Sequence, residues 1–442
     1  MAQFNKTTQQ HLPSSKTLHE VNMLAHSDGE FVTTTNPWGK QVVRVDDDTV
    51  QHTSLNRRKV STFELVDYAT FTTTKDSDIF DELASGTGSS THDEYLGLVK
   101  LEVGSTTGDE IVRQSKRVQR YLPGRQNEFG TTCIFGTPTT GIRRRVGMFD
   151  EEDGFFFEDS GDGTYRCVLR RNTAGGVEEE SYARADWNVD KLDGTGQSGI
   201  TADPEMIQHL SMEYEWYGAG IIEWNFVIDN NKYPIHRILH ANREDHTWSS
   251  HASLPIRYEL TNVAGTAGTH TFYQGAHSLS AEGTTTLVGR QKSVSTAITG
   301  KTLTTSDTFY PMVAIRLKAD RLNSVIIPDE YSAATLDNTN IFVRSIEGAT
   351  ITGGTWVSYN DDSPVEYNIT ATGFSGGDII GTQFISAGNM GNMQTYPERS
   401  ITQLQRDTTT TLGDTSSTFL IVAATTGSNK SGFASLGWLE VR

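Results

Sequence analysis

Signals for chain reversal recur along almost the whole sequence at intervals of about 8 to 12 residues, and between them lie short runs that alternate apolar and polar side chains. That rhythm is what most constrains the fold. An amphipathic helix needs apolar residues three and four apart over a dozen positions, and no sustained stretch of that kind is present. The best short-helix candidate is Asp203 to Gln208, where Asp203 would cap and Pro204 would take the first turn, and a short turn of helix around Leu18 to Leu24 is a second candidate. Threonine runs such as 72–74, 284–286 and 408–411 suit strands, and the 41 glycines suit the turns between them. An all-β chain follows, with two or more sandwich or jelly-roll-like domains.

The 442 residues exceed what a single core usually organises. Residues 1–30 are polar without a sustained period and read as an extended N-terminal arm, anchored by Leu12, Leu18, Val21 and Leu24. Residues 31–90 read as a small β attachment region ending in a glycine- and serine-rich loop. Residues 91–265 form a central β-sandwich in this reading, and 266–442 a C-terminal β-domain after the break at VAGTAGTH. Within the latter, Val313, Ile315 and Leu317 should face a core while Arg316 and Lys318 face away.

Charge and composition exclude several classes. The 37 basic and 55 acidic residues leave a formal charge of −18, which repels a phosphate backbone, so no nucleic-acid partner is expected. No run approaches the roughly 18 to 20 apolar residues of a membrane helix, and the start MAQFNKTTQQHLPSSK lacks the apolar heart of a signal peptide. The expectation is a soluble protein made in the cytosol, without membrane insertion. Cys133 and Cys167, each in an apolar run, read as buried free thiols.

Several stretches imitate functional motifs. GTGQSG at 194–199 satisfies GxGxxG, but the residues before it are polar on both faces and no strand–turn–helix frame surrounds it, so it reads as a surface loop with glycines at positive φ. Acidic groups occur at Asp150 to Asp153 and Glu178 to Glu180. They read as solvated turns, with a calcium site or a glycosidase-like carboxylate pair as alternatives. His236 and His240, with His246 and His251 close behind, would share one strand face, where a metal is the alternative to simple hydrogen bonding. A threefold axis could bring such histidines together. Without a GxSxG elbow, zincin helix, P-loop or framed Cys-His pair, no catalytic residue, cofactor or metal is assigned and no enzyme is expected.

The most conspicuous charge feature is the basic group Arg113, Lys116, Arg117, Arg120 and Arg125, followed by Arg143, Arg144 and Arg145. It reads either as solvated strand faces or as a docking surface for an acidic partner subunit, a role suited to arginine's bidentate geometry. Aromatics cluster at Phe155 to Phe157, Tyr214 to Tyr217 and Trp224 to Phe226, where period-2 spacing sends half of each cluster into the core.

The succession SKRVQRYLPG (115–124), GMFD (147–150) with GFFF (154–157), WNVDKLDGTGQSG (187–199), EWYGAG (215–220), His236 to Asn242 and LPIRYELTN (254–262) resembles a family of virion structural proteins of large tailed bacteriophages, of the marine and cyanobacterial myovirus type. The resemblance covers about a third of the chain. It implies a particle component associated with tail, baseplate or fibre, and supplies no catalytic residues. Function is therefore expected to be structural: a virion protein, favoured as a homotrimer, whose partners are other virion proteins. The alternatives are a head decoration or head-fibre protein and, from another class, a module that binds host surface glycan through Trp356, Tyr359 and Trp438 as stacking platforms.

Overall fold

The computed structural model describes residues 33–35, 41–43, 63–119, 121, 124–162, 164–215, 217–283, 288–386, 392–395, 404, 406–407 and 412–441. The chain divides into two compact units, Met1–His52 and Thr53–Arg442. In the first, the described part is a two-stranded antiparallel ladder, Thr33–Thr35 with Gln41–Val43. The arm at residues 1–30 lies outside the described residues, and so does Arg120.

The second unit is all β, as expected. Its first half is a sandwich. One sheet runs in the order Gly176–Ala183, Tyr165–Thr173, Gly154–Asp159, Ile142–Phe149, Ile256–Asn262, Glu110–Ser115 and Phe80–Ser85. The other runs Asn231–Ile238, Ile222–Ile228, Gln208–Tyr214, Asn127–Ile134, His270–Glu282, Leu98–Val103 and Ser89–Asp93, with Phe63–Ala69 paired to the far half of His270–Glu282. Alternation along each strand delivers one face to a shared core: Val146, Met148, Phe155, Phe157 and Tyr258 from the first sheet meet Phe129, Met212, Trp224, Phe226 and Phe272 from the second. Cys133 and Cys167 are free and buried in it, and burial pushes both thiols well above their usual range.

The second half is a smaller sandwich. Gly289–Ser295, Lys430–Val441, Val325–Thr335 and Asn392–Thr395 form one layer, with Lys301–Leu303 also on the last strand. The other runs Val357–Ser358, Val365–Asn368, Tyr310–Leu317, Phe419–Thr425, Ile341–Glu347 and Asp378–Ile385. Val313, Ile315 and Leu317 do face the core between them. Phe419–Thr425 is buried on both faces, because Leu420 and Val422 pack under the ribbon Thr350–Thr352 and Gly373–Ser375 with Ile351 and Phe374.

Two expected boundaries move. Strands within 63–93 belong to the sheets of the first sandwich, so the later part of the region expected at 31–90 is part of that sandwich, while Thr33–Thr35 and Gln41–Val43 lie in the other unit. The break expected at 265/266 precedes His270–Glu282, a long strand at the middle of the eight-stranded layer; the change of sandwich comes between Glu282 and Gly289. VAGTAGTH is a turn within one sandwich, braced by the Asn262 side chain, which accepts from the Thr266 amide and donates to the Thr266 carbonyl, both at 2.9 Å. Asp203 to Gln208 is a single turn, not a helix: the Asp203 carboxylate accepts the Glu205 amide at 3.0 Å, and strand Gln208–Tyr214 begins at once. Among the described residues the one helical element is the short 3₁₀ turn Arg184–Asp186.

Candidate functional site

The last strand, Lys430–Val441, sends Ala434, Leu436 and Trp438 into the core of the second sandwich at period two. Two residues on, the same inward position holds Glu440, only 2% exposed. A carboxylate in a core register must find donors. One oxygen, Oε1, accepts the Ser363 hydroxyl and, at 3.3 Å, the Trp438 indole N–H; the other, Oε2, is buried without a hydrogen-bond partner among the described residues. Glu440 lines a polar cleft of about 670 Å³ between the two sandwiches, with Arg290, Arg321, Asn323 and Asp362 from the second and Tyr121 and Ser253 from the first. Arg290 stands directly across the ladder from Glu440. Beside the cleft, Val118 of the first sandwich packs on Val325, Ile327, Leu439 and Val441 of the second.

The first-sandwich wall is fixed by a charged clamp. The chain turns tightly at 150–153, where the Asp150 amide donates to the Asp153 carbonyl at 2.9 Å and Asp150 Oδ1 accepts the amides of Glu152 and Asp153 at 3.0 Å. Gly154 completes the turn at φ +134°, where a Cβ would stand 2.3 Å from Phe149. The remaining carboxylate oxygens take His251: Nε2 lies 3.1 Å from Asp150 Oδ2 and Nδ1 3.1 Å from Asp153 Oδ2. An imidazole with a carboxylate at each nitrogen carries both protons. Accordingly, burial opposes the charge but the two aspartates prevail and push His251 up to about 9, while Asp150, despite its own burial, is held down to about 2. The Ser250 amide adds a bond to Asp153 Oδ1 at 2.9 Å. This anchors the loop that carries Ala252 and Ser253 into the cleft. Arg406 ties the clamp to the opposite wall, its Nη1 donating to Asn323 Oδ1 at 2.9 Å and lying 3.8 Å from Asp150 Oδ2.

The residues singled out from sequence are distributed differently from expectation. Asp150 and Asp153 are not a solvated turn: they are 6% and 0% exposed because they hold His251. His236 and His240 do not share a strand face, since the strand ends at Ile238. His236 is buried against Tyr182, with ring centroids 4.4 Å apart, and loss of hydration pushes it down to about 4; His240 bonds the His246 carbonyl. Among the described residues no group of three or more His, Cys, Asp or Glu side chains is arranged to hold a metal ion. The loop 194–199 is organised around Asp190, whose carboxylate accepts the amides of Leu192 and Ser198 at 2.9 and 2.7 Å, with Gly194 and Gly199 at positive φ.

Arg113, Arg144 and Arg145 are neither solvated nor available to a partner, because their charges are consumed within the first sandwich. Arg144 meets Asp159 at 2.5 Å; Arg145 meets Glu158, Glu179 and Glu259; Arg113 meets Glu82 at 2.8 Å and lies over the rings of Phe71 and Phe80. Arg145 and Arg170 also cover Phe156, the member of the Phe155–Phe157 run that faces away from the main core. Lys116, Arg117, Arg125 and Arg143 keep part of their surface.

The aromatic trio is likewise not a platform. Trp438 is fully buried, with Tyr359 edge-on at 5.2 Å, and its indole braces Glu440 from behind. Trp356 is half-buried with the Arg316 guanidinium 4.2 Å over its ring, and Lys292 lies over Tyr359. Sequence reading missed Glu440 and the Arg290, Arg321 and Asn323 set around it. The signal for Glu440 was present: an acid two residues beyond Trp438 in an otherwise apolar inward series.

No protein-family model and no curated protein matches the sequence. Solved structures with similar sheets include a glycosyl hydrolase family protein from Mycobacterium fortuitum (TM-score 0.35, 9% identity, 49% of this chain and 99% of that one). Others are the Crh5 transglycosylase in complex with NAG (0.34, 11%, 54% and 92%) and the CBM2 module of the evolved Dit of Lactobacillus casei BL23 phage J-1 (0.34, 7%, 51% and 99%). The likeness is one of β-sheet architecture over about half of the chain, and the activities and origins named for those proteins stay with them.

Proposed function

We propose that the chain is a non-enzymatic structural component of a tailed-phage particle, placed at the tail, baseplate or fibre, that works by packing against copies of itself and against other virion proteins. The observation that carries the packing claim is a pair of apolar sheet edges. Strand Phe63–Ala69 pairs on one side only among the described residues and exposes Phe63, Leu65 and Tyr68 at 44%, 54% and 62%. Strand Asp378–Ile385, at the end of its layer among the described residues, exposes Ile379 and Phe384 at 53% and 74%. Monomeric proteins blunt such edges with charge or proline, so large apolar side chains on them favour a subunit contact. The resemblance of residues 115–262 to virion proteins supports the location.

Two measurements test the proposal. Sedimentation of the purified chain should show an oligomer that Leu65→Asp or Phe384→Asp weakens; a strict monomer in solution and in the particle would defeat the packing claim. Quantitative mass spectrometry of purified particles should find the chain in small multiples of three or six. Hundreds of copies would move it to the head lattice, and absence from particles would remove the placement.

A further inference from the structure

We infer that the cleft between the two sandwiches is a binding site for a neutral polyhydroxylated ligand, a sugar unit of a glycan, seated on Glu440. This goes beyond the assembly role and uses none of the surfaces proposed for it. The cleft, at about 670 Å³, has the volume of a small-molecule site and lies at a junction between two folded layers, where such sites concentrate.

Its lining selects the chemistry. Guanidinium groups of Arg290 and Arg321 and carboxylates of Asp362 and Glu440 give two charges of each sign, which favours neither a phosphate nor a cation. Ser253, Ser324 and Asn323 add groups that donate and accept, while Val325, Pro364 and Val441 leave only narrow apolar strips, too little for a lipid chain. What satisfies donors and acceptors of both kinds in one small volume is a ring of hydroxyls, each able to give one hydrogen bond and accept others. Glu440 is the decisive member. It is 2% exposed and oriented by Ser363 and Trp438 through one oxygen, and its other oxygen is an acceptor that no group among the described residues supplies with a donor. Leaving a buried carboxylate oxygen unmet is costly unless a donor from outside completes it. A ligand hydroxyl at the cleft floor does so, while Arg290 and Arg321 at the exposed rim donate to the hydroxyl and ring oxygens of the same unit. Arg406, bonded to Asn323, and the His251 clamp, anchoring Ser253, hold the two walls and touch no ligand.

The test uses the full chain. Saturation-transfer NMR with glucose, N-acetylglucosamine and rhamnose, and an array of bacterial surface glycans, would reveal binding, followed by titration calorimetry of the best hit. Binding by at least one neutral sugar is expected, weakened tenfold or more by Arg290→Ala with Arg321→Ala, a pair of rim changes that leaves the core intact. Glu440→Gln keeps the side chain's size and should weaken binding at least as much. Binding unchanged in both variants would place any sugar elsewhere and overturn the assignment. So would no binding by any probe, or a crystal soaked in the same sugars that shows only an ordered water on Glu440. None of these outcomes bears on whether the chain is in the particle, which copy-number measurement decides separately.

Discussion

Titrating His251 should cost the protein a measurable part of its stability, with a sign fixed by the clamp. The imidazolium has an ordinary value of 6.5 and is pushed up to about 9 by Asp150 and Asp153. A group whose folded value lies above its unfolded one stabilises fully below the unfolded value and stops contributing as pH rises through the folded one. The contribution is therefore whole below pH 6.5 and gone above about 9. A displacement of that size corresponds to roughly 3 kcal/mol, and because His251 is only 15% exposed, solvent screening removes little of it. The acid side gives the opposite limb of the same contact. Asp150, held down from 3.8 to about 2, stabilises above the former and ceases to as pH falls through the latter. Urea denaturation at pH 6, 8 and 10, comparing the natural chain with His251→Gln, isolates the effect because all other titrating groups are common to both. The natural chain should lose about 3 kcal/mol more than the variant between pH 6 and 10, on the order of 1 M in the urea midpoint. Parallel stability curves for the two proteins would refute the doubly protonated clamp.

Replacing Arg144 with Met should destabilise by about 3 to 5 kcal/mol by leaving Asp159 buried and unpaired, and adding Asp159→Leu should restore much of the loss, as read by chemical denaturation. Gly154→Ala should cost at least about 2 kcal/mol, since the turn needs positive φ and the space is filled by Phe149; thermal melting would show it. Trp438→Ala should lower stability by about 3 to 5 kcal/mol, whereas Trp356→Ala, at a half-buried position, should cost far less. Cys133 and Cys167 should resist a thiol reagent in the native protein and react once urea unfolds it.

The strand class was legible because alternation and turn chemistry are local. Val313, Ile315 and Leu317 face a core whatever they pack on, and Phe155 with Phe157 must share a face. Partnership is not local. His270–Glu282 looks like the opening of a new domain along the chain, yet it pairs with Asn127–Ile134, well over a hundred residues earlier, and that long-range ladder assigns it to the first sandwich. The same reason hid the clamp, since Asp150 and His251 are a hundred and one residues apart in sequence and adjacent in space.

Charge was misread for a related physical reason. A run of three arginines on a strand places its middle member on one face and its outer two on the other, so Arg144 cannot share an environment with Arg143 and Arg145. Arg144 finds Asp159 on the adjacent strand, while Arg145 reaches three carboxylates from three different strands. Within the acidic run Glu178 to Glu180, Glu179 is thus a counter-charge to Arg145 and Arg170 and Glu178 to Arg171, supplied by the antiparallel return of the chain. Local excesses of one sign cancel across the ladder. Glu440, whose cross-strand neighbour Arg290 is exposed at the rim, is held through one carboxylate oxygen and has no partner on the other among the described residues. A buried carboxylate oxygen without a donor is costly, and its place beside the cleft between the two sandwiches gives Glu440 its weight as a seat for a ligand.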